Sequence, residues 1–150
     1  MNRIRDTRTL DKATAYVILR MGRLLRMDLS RTLQSAGVEI TPEQWFILFR
    51  LYEQDGLSQS DLADKLLQDH PNITRMVDAL VANGFIRRDD DPEDRRRYLL
   101  HLSNDGRSLV EKLFPLVVER RQQLFAGIEE QAIEQLHTTL QQIEKNLVDG

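Results

Sequence analysis

No cysteine occurs among the 150 residues. Disulfide frameworks, thiolate zinc sites and cysteine redox switches are therefore excluded. Three histidines, His70, His101 and His137, fall on separate segments and lack ligand spacing such as HExxH, so no metal is expected. A glycine-rich phosphate loop and a GxSxG elbow are missing too, and no serine has an obvious His-Asp partner set. An enzyme and a bound cofactor are not expected. No run approaches the roughly 18 apolar residues of a membrane span, and the N-terminus lacks a signal-peptide apolar block. A soluble, cytoplasmic protein with no membrane partner is the expectation. Excess positive charge is also lacking. The net charge is −3, which taken alone argues against a nucleic-acid partner.

The distribution of charge says more than its sum. Residues 1–31 carry eight bases and three acids, whereas residues 58–103 carry seven bases and nine acids. Any DNA affinity must then come from clustered arginines and from helix N-termini aimed at phosphates.

Residues 58–103 hold the clearest pattern. Ser58 suits a helix N-cap, and Asp61 at the third helical position suits the positive end of that helix. Leu62, Ala63, Leu66 and Leu67 follow at helical spacing as one apolar face. Gln68 and Asp69 make a turn. Asp69 or His70 caps a second helix, with Pro71 in its first turn, where a missing amide proton costs nothing. Ile73, Val77 and Leu80 share one face, with Met76 and Val81 at its edges. Asn72, Thr74, Arg75 and Asp78 point elsewhere, and Gly84 ends the helix. Asn can pair with adenine, Arg with guanine or phosphate, and Thr with phosphate or a thymine methyl. An ordinary amphipathic helix would show the same exposed set.

A hairpin follows and favours DNA. Phe85–Arg88 and Tyr98–Leu102 read as strands, the second with Tyr98, Leu100 and Leu102 alternating onto one face. Between them, the acids and bases of residues 89–97 put Arg95, Arg96 and Arg97 at or just past the tip. Arginine is the side chain most often inserted into a narrow minor groove. Asp91 or Asp94 is expected to bond an arginine and hold the tip in shape. Helix, turn, helix and hairpin in this order predict a winged helix-turn-helix, with one helix in the major groove and a β-ribbon beside it.

Three stretches, Ser58–Ala63, Asn72–Leu80 and Asn83–Arg88, together with Asp91–Arg96 and Leu102–Gly106, resemble the MarR family of bacterial transcription regulators. The resemblance covers nearly the whole chain. It implies a homodimer on a pseudo-palindromic operator, often released by a small phenolic or other aromatic ligand. Without cysteine, the family's peroxide-sensing branch is excluded.

The flanking segments predict long helices. Leu10, Ala13, Val17, Met21, Leu24, Leu25, Leu29 and Leu33 form an apolar stripe ended by Gly37. Thr41-Pro42-Glu43-Gln44 opens the next helix as a capping box, followed by Trp45, Ile47 or Leu48, Phe49, Leu51 and Tyr52. Ser103 caps a helix that Pro115 should kink, and Gly127 precedes the last helix. The terminal helices carry more apolar surface than a small module covers, and a dimer interface is the preferred sink for it.

The expected organisation is a single domain over 1–150, mainly α with a small β-wing. Residues 41–103 form the winged helix-turn-helix, and residues 10–36 and 104–148 form dimerisation helices. Ser58, Gln59, Pro71, Asn72, Thr74, Arg75, Arg88, Arg95, Arg96 and Arg97 are the candidate DNA contacts. Tyr16, Arg20, Trp45 and Phe49, with Tyr52, are candidates for an aromatic effector cleft, although such aromatics more often belong to a core. The expected function is a sequence-specific double-stranded DNA-binding regulator, a homodimeric repressor relieved by a small aromatic ligand. The alternative is a winged-helix protein–protein module that does not bind DNA.

Overall fold

The computed structural model describes residues 9–150; Arg3, Arg5 and Arg8 of the basic N-terminal stretch lie outside them. After a short 3-10 turn, Leu10–Lys12, come helices α1 (Thr14–Ser35) and α2 (Pro42–Glu53). Strand β1 (Leu57–Ser58) leads directly into helix α3 (Gln59–Leu66), and α4 (His70–Ala82) follows. Strands β2 (Ile86–Asp90) and β3 (Tyr98–Leu102) form the hairpin, and helices α5 (Asn104–Leu124) and α6 (Glu130–Asp149) complete the chain. The fold is mainly helical with a small β-wing, as the periodicities predict. No helix among the described residues is long and apolar enough to cross a membrane.

The chain forms two compact units, one running to Val117 and one from Val118 to Gly150. The first holds the core. Leu33 of α1, Trp45, Ile47, Leu48 and Leu51 of α2, Leu62 of α3, and Ile73, Val77 and Leu80 of α4 are all buried in it. Leu100 of β3 and Val110 and Leu113 of α5 close the same cluster. Burying each such side chain is worth about 1.5–3 kcal/mol. The second unit has no buried residue, and Leu136, Leu140, Leu147 and Val148 of α6 are exposed.

Local capping explains where the helices start. Thr41 Oγ1 accepts the Gln44 amide at 3.2 Å while the Thr41 amide donates to Gln44 Oε1 at 3.0 Å. Ser58 and Asp61 form the same reciprocal box at 3.0 Å in both directions. Asp69, not His70, caps α4, its carboxylate accepting the Asn72 amide at 2.8 Å. Ser103 Oγ accepts the Gly106 amide at 3.0 Å. Each box satisfies amides that a helix N-terminus leaves without intrahelical partners.

Four expectations need correction. The sheet has a third strand, in the order β1-β3-β2, with Leu57 opposite Leu100 and Ser58 opposite Leu99. Strand β2 begins at Ile86, not Phe85, and runs on through Asp89 and Asp90, which pair with Leu99 and Tyr98. Within the strand, Arg87 holds the Asp89 carboxylate at 3.0–3.2 Å. Tyr98 does not join Leu100 and Leu102 in the core and stays half exposed, because the wing outruns the helices beneath it.

Leu67 is the fourth. It is not on the apolar face of α3 but is 82% exposed, at φ 52° and ψ 44° in the left-handed region. The tight α3–α4 turn requires that conformation, and it costs an L-residue roughly 1–2 kcal/mol. Asparagine tolerates it better and gives up almost no packing here. Leu67→Asn is expected to raise stability by about 0.5–1 kcal/mol, seen as a higher urea midpoint at unchanged m-value. A lower midpoint would show that the leucine packs on something that its exposure conceals.

Candidate nucleic-acid interface

The exposed side of α4 carries a short polar chain. Asp69 holds the Asn72 amide and, at 3.0 Å, its side-chain nitrogen, and Arg75 donates to Asn72 Oδ1. Thr74, next to Arg75 in the chain, accepts a hydrogen bond from Gln59 Nε2 of α3 at 3.1 Å. Pro71, Thr74 and Arg75 are exposed, and Asn72 is half-buried. These side chains are thus pre-positioned on the surface of a helix whose opposite face is locked in the core.

Arg88 has a different setting from the one expected. It donates to Gln59 Oε1 at 3.2–3.3 Å and to Asp78 on α4, and only 26% of its side chain is exposed. The arginine therefore braces β2 against α3 and α4. Gln59, on the other side of the brace, is shared between Arg88 and Thr74. Asp78 is a site residue that the sequence does not single out. Nothing in its local sequence separates it from the other exposed residues of α4, because its partner lies ten positions away across a turn. Ser58 is buried, with its hydroxyl already taken by the Asp61 amide.

The wing tip is shaped by its acids. Asp91 and Arg97 close the loop through a backbone bond at 3.2 Å. Asp91 Oδ1 accepts the Glu93 amide and Asp94 Oδ1 accepts the Arg96 amide, each at 2.9 Å. Both aspartates thus build turns out of their own carboxylates. Arg96 Nε lies 3.5 Å from Asp94, and Arg97 lies 3.8 Å from both Asp91 and Asp61. Asp61 is held below the usual carboxylate range by the Ser58 amide and then its hydroxyl, with burial opposing and Arg97 adding a smaller pull. Arg95 makes no ion pair among the described residues, and Arg96 is 92% exposed despite its partner. The three arginines therefore divide: Arg97 is tied down, Arg96 is tethered and Arg95 is free.

At the base of the wing, His101 Nδ1 lies 3.1 Å from Asp55 and Nε2 lies 3.5 Å from Asp89. Asp55 also accepts the Leu102 amide at 3.0 Å, pinning the loop after α2 to β3. The Arg87 hydrogen bond draws Asp89 down from its ordinary value, against a smaller opposing effect of burial. On the other flank, Arg26 of α1 grips Glu43 of α2 with two bonds at 2.6 and 2.8 Å. That contact lowers the Glu43 carboxyl, again with burial opposing.

The effector candidates are not gathered into one place. Trp45 is buried and packs on Phe49 at 5.5 Å between ring centres, and Phe49 stacks on Phe114 at 5.4 Å. Trp45 is a core residue, buried in the same cluster as Leu48 and Leu51. A cavity of about 240 Å³ does lie beside Tyr16 and Arg20, but Asp11, Val17 and Met21 complete its lining. Neither Trp45 nor Phe49 reaches it.

Residues 40–98, which span α2 to the start of β3, match the MarR family. The HTH-type transcriptional regulator YkoM of Bacillus subtilis is 30% identical over 95 residues, 63% of this chain and 62% of that protein. The chain spans 62%, 54% and 38% of the length of three curated relatives that it matches. The repressor CouR of Rhodococcus jostii RHA1, solved on a 23-mer DNA duplex, is 26% identical with a TM-score of 0.82, covering 90% of this chain and 94% of that one. The S. aureus MepR–DNA complex is also 26% identical, with a TM-score of 0.81 and coverage of 93% and 99%. In its helix-turn-helix and its wing, this chain is similar to the regulators of the MarR family.

Proposed function

We propose that this chain is a sequence-specific, double-stranded DNA-binding transcription regulator. In this reading it acts as a homodimeric repressor on a pseudo-palindromic operator and is released by a small aromatic or phenolic ligand. The observation that carries it is the pairing of Asn72, Thr74 and Arg75 on one exposed helix face with a wing that leaves Arg95 and Arg96 open to solvent. That pairing suits major-groove reading by α4 and groove or phosphate contact by the wing. The solved relatives that carry DNA support the same reading.

A second copy of the chain accounts for apolar surface that nothing in one copy covers. Val17, Met21, Leu24 and Leu25 of the α1 stripe are exposed, as are Leu136 and Leu140 of α6. The expected result is a dimer at micromolar concentration by sedimentation, protecting two half-sites about 10 bp apart, with its recognition helices roughly 34 Å apart. A monomer, or tight binding to one isolated half-site, would overturn this. A protein–protein module would instead show no salt-dependent binding to duplex DNA.

Release by an aromatic acid rests on Arg20 and Tyr16, which line one cavity on α1. Salicylate is expected to weaken duplex binding and Arg20→Ala to make binding indifferent to it. Equal sensitivity in wild type and variant would remove Arg20 from the effector site.

A further inference from the structure

We propose that the cavity between the start of α3 and the wing seats one backbone phosphate of the bound duplex. The proposal rests on the DNA-binding reading above and adds residues to it. The cavity has a volume of about 180 Å³, and Ser60, His70, Arg96, Arg97 and Tyr98 contribute to its lining. These residues come from three separate parts of the chain: the first turn of α3, the first residue of α4, and the end of the wing loop with the first residue of β3. The fold thus gathers them.

Two features make the lining suit a phosphate. The first is charge. Two arginines and no acidic residue line the cavity. The acids that these arginines contact, Asp61, Asp91 and Asp94, each accept a backbone amide as well. Each arginine has five N–H donors, so the Arg96 contact with Asp94 at 3.5 Å and the two Arg97 contacts with Asp61 and Asp91 at 3.8 Å leave further donors on both for a ligand. The second is unused hydrogen-bonding capacity. The side chains of Ser60, His70 and Tyr98 have no partner among the described residues. By contrast Ser58 and Gln59, which also border the cavity, are already occupied. Three free polar groups and two cations converging on one hollow match the oxygens of a phosphodiester.

The seat also lies between the two elements read as DNA-facing. A phosphate held there would set how deeply α4 enters the major groove while the wing reaches its neighbour. Contacts of this kind position a protein on the duplex and carry no base preference.

The test uses a duplex selected by the protein from a random-sequence pool, with binding followed by fluorescence anisotropy. Ser60→Ala with Tyr98→Phe removes two hydroxyls from exposed positions and keeps the aromatic ring. This pair is expected to lose about tenfold in affinity for selected and random duplexes alike, leaving their ratio unchanged. His70→Gln, made separately, is expected to weaken both equally. A methylphosphonate scan then identifies the phosphate. In wild type, one neutral linkage per half-site should cost about tenfold, and in the double variant that linkage should cost less than twofold. Unchanged affinity, or losses that add at every linkage, would overturn the seat. Inorganic phosphate is the competing source: if it saturates the cavity, followed by the NMR signals of His70 and Tyr98, without weakening duplex binding, the seat is not a DNA site. Arg75→Ala separates the two claims. Loss of binding in that variant alongside full binding in the cavity variants removes the seat and leaves the regulator reading. A chain that binds no duplex under any condition removes both.

Discussion

Gly106→Ala is expected to cost the fold about 3 kcal/mol, a large share of the 5–15 kcal/mol that holds a typical domain together. A β-carbon on Gly106 would sit 2.1 Å from the Phe85 carbonyl oxygen, 3.0 Å from its carbon and 3.2 Å from the Leu102 side chain. The obstacle is backbone, so no rotamer change relieves it. The same carbonyl accepts the Ser103 amide at 3.0 Å and cannot move without breaking that bond. The first turn of α5 must therefore withdraw from the segment that enters β2. For a chain of this size, about 3 kcal/mol corresponds to a fall of roughly 6–12 °C in Tm, readable by circular dichroism. A fall of less than about 2 °C would mean that α5 shifts freely and that its approach to Phe85 is not a constraint on the fold.

Removing the two open wing arginines should have the largest effect on DNA binding. Arg95→Ala with Arg96→Ala is expected to weaken binding to all sequences and to lower the salt slope by about 1 for each phosphate that the wing no longer neutralises. Arg97 should matter less, because Asp91 and Asp61 both draw on it. The companion variant Asp94→Ala separates shape from charge. Removing an acid beside a polyanion should strengthen binding by simple electrostatics. Asp94, however, accepts the Arg96 amide at 2.9 Å, and its backbone carbonyl accepts the Arg97 amide at 3.1 Å. Without the carboxylate the tip loses the turn that presents Arg95 and Arg96, and binding should weaken. Anisotropy titrations at several salt concentrations decide this. Tighter operator binding by Asp94→Ala at moderate salt would reduce the wing acids to solvated counter-charge.

The contrast between Asp94 and Arg88 shows how far a pattern of residues can be read. Asp94 bonds an amide two positions away, so its shaping role follows from a short stretch of chain. Arg88 looks like one more wing cation until the fold brings Gln59 and Asp78 to it, from 29 and ten positions away. A DNA-contact candidate by composition also braces β2 against α3 and α4. The same divide separates Tyr16 and Arg20 from Trp45. All three residue types suit a cleft, but Trp45 is buried in the core that the assembled helices form.

Features set by neighbours three or four residues away are legible before any coordinate. The Thr41–Gln44 and Ser58–Asp61 boxes, the Ile73–Val77–Leu80 face and the left-handed Gly84 at φ 80° all stand where side-chain chemistry and helical period put them. Such features need only backbone hydrogen bonding and the 3.6-residue repeat, which act within one turn of helix. Strand β1, the extension of β2, the exposure of Leu67, the close approach at Gly106 and the gathering of Ser60, His70 and Tyr98 at one cavity have no such local signature. Apart from Leu67, whose exposure comes from the left-handed turn between α3 and α4, each depends on a partner brought in from a distant part of the chain. Packing of the helices around Leu48, Leu62 and Leu100 selects those partners, since burial acts on the assembled surface and not on the order of residues along it.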